Sequence, residues 1–339
     1  MSFDPDAIVV RPFQAGDEAA VLRLHNRVLG DAQRGMSGIS AELWRWKFLA
    51  NPTGLVRLML AEVPRHGVVG IYPTVPMRMS FGGRRELMLQ AVDQAIAPEW
   101  LTRGGPHGLF VRLGQDLLQR WIGRGDDRAT LVFGLPVVSW RSGAQHLGWQ
   151  LVRDWDVCFR PVVDGERPRQ VPADLAVHAV PRFDDTIDEL FARLERGTQL
   201  TTVRDHTWLN WRYADHPTRR YHLFACRERA TGVLRGIAVY GTSDLTRTHS
   251  GFVLDALHDE ADHDTRVALV AALEAQARAD RAAMLYAVWS AHDPHFLAWQ
   301  ELGYRVRGTP WFLAATSTVY DPVVLRQNWR FTLGDCDLV

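Results

Sequence analysis

Apolar residues in this chain change their spacing repeatedly, and each change marks the start of a new element. Ile8–Pro12 alternates as a short strand. From Asp17, placed to cap a helix, Leu22 and Val28 return at helical intervals as far as Leu29. A second helix covers about 41–49 and stops before Asn51-Pro52, because the residue before a proline is driven out of the helical region. Three strands follow near 56–63, 67–80 and 85–97. A helix at about 107–123 ends at Gly123, then come a strand at Thr130–Gly134, a helix from Ser139 and strands through Pro161. From Leu175 the series starts again, with helices near 184–196, 204–213, 263–279 and 293–301.

The restart is a duplication. Trp46-Lys47-Phe48-Leu49-Ala50-Asn51-Pro52 is echoed by Trp211-Arg212-Tyr213-Ala214-Asp215-His216-Pro217. Strand-like runs follow both copies, at Leu58–Ala61 and His222–Ala225, then at Val68–Tyr72 and Gly236–Tyr240. Further on, Leu147-Gly148-Trp149 matches Leu302-Gly303-Tyr304 in the same order, a series that chance does not produce. Trp44, Trp46, Phe48, Trp208, Trp211 and Tyr213 stand at helical spacing in both copies and read as core packing. The polar, proline-bearing stretch 162–174 is the natural linker, so the expected domains are 1–163 and 170–339.

Composition narrows the class. With 339 residues, 47% hydrophobic and 23% charged, the chain has material for two cores in ordinary globular proportions. Formal net charge is zero, so no global field argues for nucleic acid or an anionic membrane as partner. Basic charge is nearly all arginine, Lys47 being the one lysine, which reads as a coding bias. Cys158, Cys226 and Cys336 lie far apart without metal or disulfide spacing, and the histidines show no HExxH-like pattern, so no metal is expected. The first residues lack a basic and apolar leader, and no apolar run approaches the roughly 20 residues a bilayer span needs. The expectation is a soluble cytoplasmic protein.

Candidate chemistry concentrates in residues 90–112. An apolar run ends at Pro98, a glycine-rich loop Arg103-Gly104-Gly105-Pro106-His107-Gly108 follows, and an amphipathic run opens at Leu109. Strand, glycine turn and helix start together present unpaired N–H groups and the positive end of a helix dipole to an anion. Glycines admit a phosphate or pyrophosphate close to the main chain. The matching loop of the second copy, His258-Asp259-Glu260-Ala261-Asp262-His263-Asp264, has no glycine and four carboxylates. These suit a helix start and repel a pyrophosphate.

This order of elements, with the glycine loop after the fourth strand, resembles the GNAT superfamily of acyl-CoA-dependent N-acyltransferases, and the duplication resembles its tandem members. The resemblance implies an α/β (α+β) fold of two consecutive GNAT-like domains, each a central mixed, mostly antiparallel sheet flanked by helices. It implies acetyl-CoA or another acyl-CoA as co-substrate, with the pyrophosphate on Arg103, Gly104, Gly105, His107, Gly108 and Leu109. Pro106 departs from the family's [Gln/Arg]-x-x-Gly-x-[Gly/Ala] loop and removes one N–H donor. Main-chain groups near Ala95, Ile96 and Ala97 would bind the pantetheine and polarise the thioester carbonyl. Asp93 is the available carboxylate for a base, and Gln90 cannot serve. The family's acid is a tyrosine where this chain has Ala144 and Trp299, so Ser139 is the nearest hydroxyl. Some tandem relatives use the terminal carboxylate as base, whereas the apolar and aromatic segment 328–339 reads here as a docking tail.

The resulting expectation is transfer of an acetyl or other acyl group from coenzyme A to a primary amine on a small molecule or peptide. A non-catalytic acyl-CoA-binding or scaffolding pair is the alternative, favoured by the missing tyrosine and the acidic second loop. An aminoacyl transferase using charged tRNA is a third reading, disfavoured by the absence of a basic patch. Acceptor, acyl length and oligomeric state are not encoded in any pattern found.

Overall fold

A computed structural model describes residues 7–30, 38–101, 108–136, 145–163, 165–195, 199–246 and 248–338. From the amino end the elements run β1 (Val9–Pro12), α1 (Glu18–Leu29), α2 (Ala41–Phe48), β2 (Arg57–Val63), β3 (Gly67–Phe81), β4 (Arg84–Ala91), β5 (Ala95–Ile96), α3 (Pro98–Leu101), α4 (Leu109–Trp121), β6 (Ala129–Gly134) and β7 (Gln150–Pro161). There follow β8 (Leu175–Val180), α5 (Thr186–Leu194), β9 (Thr201–Thr202), α6 (His206–Leu209), β10 (His222–Glu228), β11 (Leu234–Ser243) and β12 (Ser250–His258). The chain continues through α7 (His263–Ala279), β13 (Met284–Val288), α8 (Pro294–Glu301), β14 (Arg305–Ser317) and α9 (Pro322–Asn328).

Two compact units result. The first comprises 1–78, 86–153 and 311–326, the second 79–85, 154–310 and 327–339. Strand order in the first is β1-β2-β3-β4-β6 followed by the carboxyl half of β14; in the second it is β7-β13-β12-β11-β10-β8. Each sheet is mixed and mostly antiparallel, with one parallel step, β4 on β6 and β12 on β13. The last strand of each repeat completes the sheet of the other. β7, from the first repeat, pairs with β13 through Tyr286↔Phe159, and β14, from the second, pairs with β6 through Ala315↔Phe133. A cut at 163 and 170 would therefore separate each last strand from the sheet it closes.

Local chemistry in the two repeats is alike. Ser40 Oγ accepts from Leu43 N at the start of α2, and Asp205 Oδ1 accepts from Trp208 N at the start of α6. Such caps satisfy helix-end donors that have no intrahelical partner. Trp44, Phe48, Trp208, Trp211 and Tyr213 are buried, while Trp46 is half-buried. The Asn51 and His216 echoes are turn devices: Asn51 Oδ1 accepts from Thr53 N, and His216 Nδ1 from Arg219 N. One expected cap differs. Asp17 stands at the N-cap of α1 but makes no side-chain cap bond, because its carboxylate takes Arg11 at 2.7 and 2.9 Å and Gln14 N at 2.8 Å. A bidentate guanidinium is the stronger partner.

Cys158, Cys226 and Cys336 are free and buried. Among the described residues no helix is long and apolar enough to cross a membrane, and no group of three or more His, Cys, Asp or Glu side chains is arranged to hold a metal ion.

Candidate functional site

In the first unit β4 lies parallel to β6 from Leu87↔Ala129 to Gln90↔Phe133. The single strand expected over 85–97 is interrupted just beyond that pairing. Val92 N still reaches Pro73 O at 3.2 Å, but Asp93 turns to φ +51°, and pairing resumes one residue out of step at Ala95↔Ile71 and Ile96↔Gly70. One extra residue in a strand is a bulge, which re-aims the main chain after it. Ala97 N donates to Val69 O at 2.9 Å, so the pair 97/69 is of the hydrogen-bonded kind. Alternation along an antiparallel pair then turns the N–H and C=O of Ile96 away from β3. Ala95, Ile96 and Ala97 are all buried.

The bulge is held by side chains from two helices. Lys47, buried on α2, places Nζ 2.7 Å from Asp93 Oδ2, and His25, buried on α1, places Nε2 3.7 Å from the same oxygen. Asp93 itself is 23% exposed, and Oδ1 has no partner among the described residues. Asn26 fixes the histidine. Its Nδ2 donates to Ile39 O and its Oδ1 accepts from Ile39 N, which turns Oδ1 toward His25 Nδ1 at 3.2 Å and makes that ring nitrogen the donor. Burial works to raise the Asp93 carboxyl, but the charge and hydrogen bond of Lys47 outweigh it and hold it well below the ordinary range. Asp93 is thus an ionised, partly open carboxylate with little appetite for a proton.

Helix α4 begins at Gly108, whose φ of −58° and ψ of 174° mark an extended N-cap, and its first residue, Leu109, is buried. The helix sits close on β3: a Cβ on Gly70 would come 3.1 Å from Leu109 Cδ2 and 3.1 Å from Leu113 Cδ1. Arg103, Gly104, Gly105, Pro106 and His107 lie outside the described residues, as do Ser139 and Ala144.

The second unit treats the corresponding position differently. β12 pairs with β13 only from Gly251↔Leu285 to Val253↔Ala287, after which the two strands part. Segment 329–336 bridges the parted ends. Ser290 Oγ, just beyond β13, donates to Trp329 O at 2.8 Å, and Thr332 Oγ1 donates to Asp255 Oδ1 on β12 at 2.9 Å. Around Asp255 the network closes: Arg204 Nε donates to Oδ1 at 2.7 Å, Tyr213 OH donates to Oδ2, and Arg204 Nη2 reaches Asp335 Oδ1 at 2.9 Å. Thr202 Oγ1 also donates to Asp335. Asp255 is 1% exposed, against 23% for the Asp93 side chain. Burial and the neighbouring Asp255 raise both the Tyr213 hydroxyl and the Asp335 carboxyl, so Tyr213 stays a donor.

The acidic loop after β12 is spent on caps and ion pairs. Asp262 Oδ1 accepts from Thr265 N and its Oδ2 pairs with Arg235 at 2.7 Å; Asp259 Oδ1 accepts from Ala261 N; Glu260 pairs with Arg330 at 2.8 Å. Trp299 packs against Tyr304 and Trp289 in the core. A small cleft, partly open to solvent, is lined here by His258, Glu260, Trp289, Asp293 and Arg330.

The structure therefore brings Asp93 and Ile96 to one bulge, and adds Lys47 and His25, which sequence reasoning did not select. One signal for Lys47 was present, its being the sole lysine. His25 carried none, as a single histidine on an amphipathic helix.

No protein-family profile and no curated protein matches the sequence. Solved structures do. A probable N-acyltransferase from Enterococcus faecalis V583 superposes with a TM-score of 0.66 at 13% identity, covering 93% of this chain and 74% of that one. A tandem GNAT protein from the clavulanic acid biosynthesis pathway gives 0.59 at 14% identity, covering 91% and 98%. Saccharomyces cerevisiae N-myristoyltransferase with bound myristoyl-CoA gives 0.56 at 11% identity, covering 93% and 83%. The chain shares the fold of these structures, a tandem GNAT protein among them, over more than nine-tenths of its length.

Proposed function

We propose that the protein is an N-acyltransferase that moves an acetyl or other acyl group from coenzyme A to a primary amine, with the acyl-CoA held by the first unit. The observation that carries this reading is the bulge at Asp93, which frees the Ile96 main chain from β3 beside the start of α4. In this reading the Arg103–Gly108 loop and the first turn of α4 at Leu109 receive the pyrophosphate. Ala95 and Ala97 fix the strand, and the Ile96 N–H donates to the thioester carbonyl as negative charge develops there. The amine nitrogen attacks the carbonyl carbon, the C–S bond breaks, the nitrogen loses a proton and the departing sulfur gains one.

Asp93 Oδ1 accepts a hydrogen bond from the attacking amine and so orients it, while the Lys47 ammonium on Oδ2 keeps the carboxylate ionised. Proton removal then falls to water, and Ser139 is the proposed donor to the sulfur. The acceptor is a small molecule or a peptide, and the setting is cytoplasmic. A non-catalytic acyl-CoA-binding role is the second reading, favoured by the weak basicity imposed on Asp93.

Calorimetric titration with acetyl-CoA tests both. Binding at micromolar or tighter dissociation constant, lost in Gly105→Asp, is expected. No binding up to millimolar ligand overturns both readings. Where binding is found, release of free coenzyme A with a panel of amines separates them: release supports transfer, and its absence across primary amines supports the sensor.

A further inference from the structure

Position 47 is the one place where this chain keeps a lysine. Everywhere else basic charge is arginine, and the matching position of the second repeat, Arg212, is arginine too. The two residues do different work. Arg212 reaches Cys336 O with Nη2 at 2.6 Å, and the cation on Asp255 is supplied instead by Arg204. Lys47 makes the contact to Asp93 itself, from a buried position and at 2.7 Å.

That contact falls on a strained residue. Asp93 has φ +51°, a left-handed conformation that side-chain-bearing residues seldom adopt. Such outliers persist only where the surroundings over-determine them. Here the determinant is the Lys47 ammonium, bonded to Oδ2 at 2.7 Å, with the His25 ring packed beside the same oxygen at 3.7 Å. Asn26 in turn holds His25 through its paired bonds to Ile39. Ammonium and guanidinium are not equivalent at such a point. A compact ammonium with rotatable donors can approach one oxygen beside a ring, whereas a planar fork demands both oxygens or a wider seat.

We propose, on the acyltransferase reading given above, that Lys47 is a positioning residue of the transfer centre: it clamps Oδ2 of Asp93, fixes the bulge that turns the Ile96 main chain outward, and leaves Oδ1 facing the acceptor. Lysine is specified because the clamp needs a point charge at one oxygen. The choice is thus not part of the chain's general preference for arginine.

The same singularity makes the test clean. Protein grown with ¹⁵N-lysine carries one labelled side-chain ammonium, so its resonance needs no assignment. On titration with acetyl-CoA that resonance is expected to shift and to saturate at the dissociation constant measured by calorimetry. Lys47→Arg and Lys47→Met are expected to bind acetyl-CoA within about threefold of wild type while kcat for transfer falls at least tenfold in both. An ammonium resonance unmoved at saturating acetyl-CoA overturns the placing of Lys47 at the centre, as does wild-type kcat in Lys47→Arg, and both leave the acyltransferase reading standing. Absence of any acetyl-CoA binding to the wild-type protein overturns that reading, and this proposal with it. Should Lys47→Met fail to fold, the labelled wild-type protein and Lys47→Arg still decide the matter.

Discussion

Replacing Gly334 by alanine adds one methyl group at the most crowded point of the second unit. Gly334 lacks the positive φ that would itself penalise a side chain, so the consequence is one of space alone. The new Cβ would overlap Asp255 Oδ2 and Tyr213 OH and lie 2.7 Å from Asp255 Cγ. None of these atoms is the far end of a flexible, solvent-facing chain: Asp255 is 1% and Tyr213 2% exposed. Relief requires the tail to lift, and lifting weakens the bonds of Thr332 to Asp255 and of Asp335 to Arg204 and Thr202. Overpacking a filled core costs about 1–3 kcal/mol, and a hydrogen bond to a charged group is worth about 1.5–3 kcal/mol. Relaxation shares the two costs, so a destabilisation of about 3 kcal/mol is expected, a loss of roughly 6–12 °C in Tm for a unit of this size. Calorimetric or circular-dichroism melting of Gly334→Ala beside Gly308→Ala measures it. Gly308 is exposed, and a Cβ there meets only Asp156 Oδ1 at 3.8 Å. A Gly334→Ala protein melting within a degree or two of wild type would refute the argument that the tail is packed tightly against Asp255.

Other outcomes follow from the same physics. Burial lowers the His258 pKa from 6.5 to about 4, and His295 behind it is also pushed well down. The unfolded chain therefore binds more protons than the folded one between about pH 4 and 6.5, and stability rises with pH through that window, by up to about 3 kcal/mol for His258. Urea unfolding at pH 5 and pH 7 should show the slope, and His258→Gln should flatten it; an unchanged slope would dismiss the buried neutral ring as its source. Asp93 works the opposite end. Its folded pKa is depressed, so its stabilisation is full above the ordinary value of 3.8 and is withdrawn as pH falls below it. Acid unfolding of Asp93→Asn, compared with wild type below pH 4, should show a shallower loss. Ser40→Ala and Asp205→Ala each remove one helix cap, and each should cost about 1 kcal/mol in denaturant unfolding, equal costs being the mark of equivalent positions in the two repeats.

Much of this architecture was legible because periodicity and capping are local. The duplicated Trp-basic-aromatic motif, the order of strands and the start of α4 all rest on residues close in sequence. What was not legible is long-range. The exchange of β7 and β14 leaves no trace in either strand's own pattern, because an apolar strand is equally suited to either sheet. The bulge at Asp93 reads as an uninterrupted strand, since aspartate, unlike glycine, does not announce a positive φ. Its clamp joins residues from α1, α2 and the end of β4, three segments that no spacing rule connects. Asp17 illustrates the converse: it stands at the helix start that its sequence position predicts, but Arg11 competes for the capping carboxylate and takes it.

The two repeats place a carboxylate at the same point, where a strand parts from its parallel neighbour, and then dispose of it in opposite ways. Asp255 is surrounded on every side by donors from Arg204, Tyr213 and Thr332, and the tail that supplies Thr332 spans the parted strands. A carboxylate so enclosed and so fully paired is bound to a structural role: any ligand entering there would have to replace a buried arginine's bonds. Asp93 is clamped on one oxygen only. Its remaining oxygen can meet an incoming donor without displacing any of the described partners.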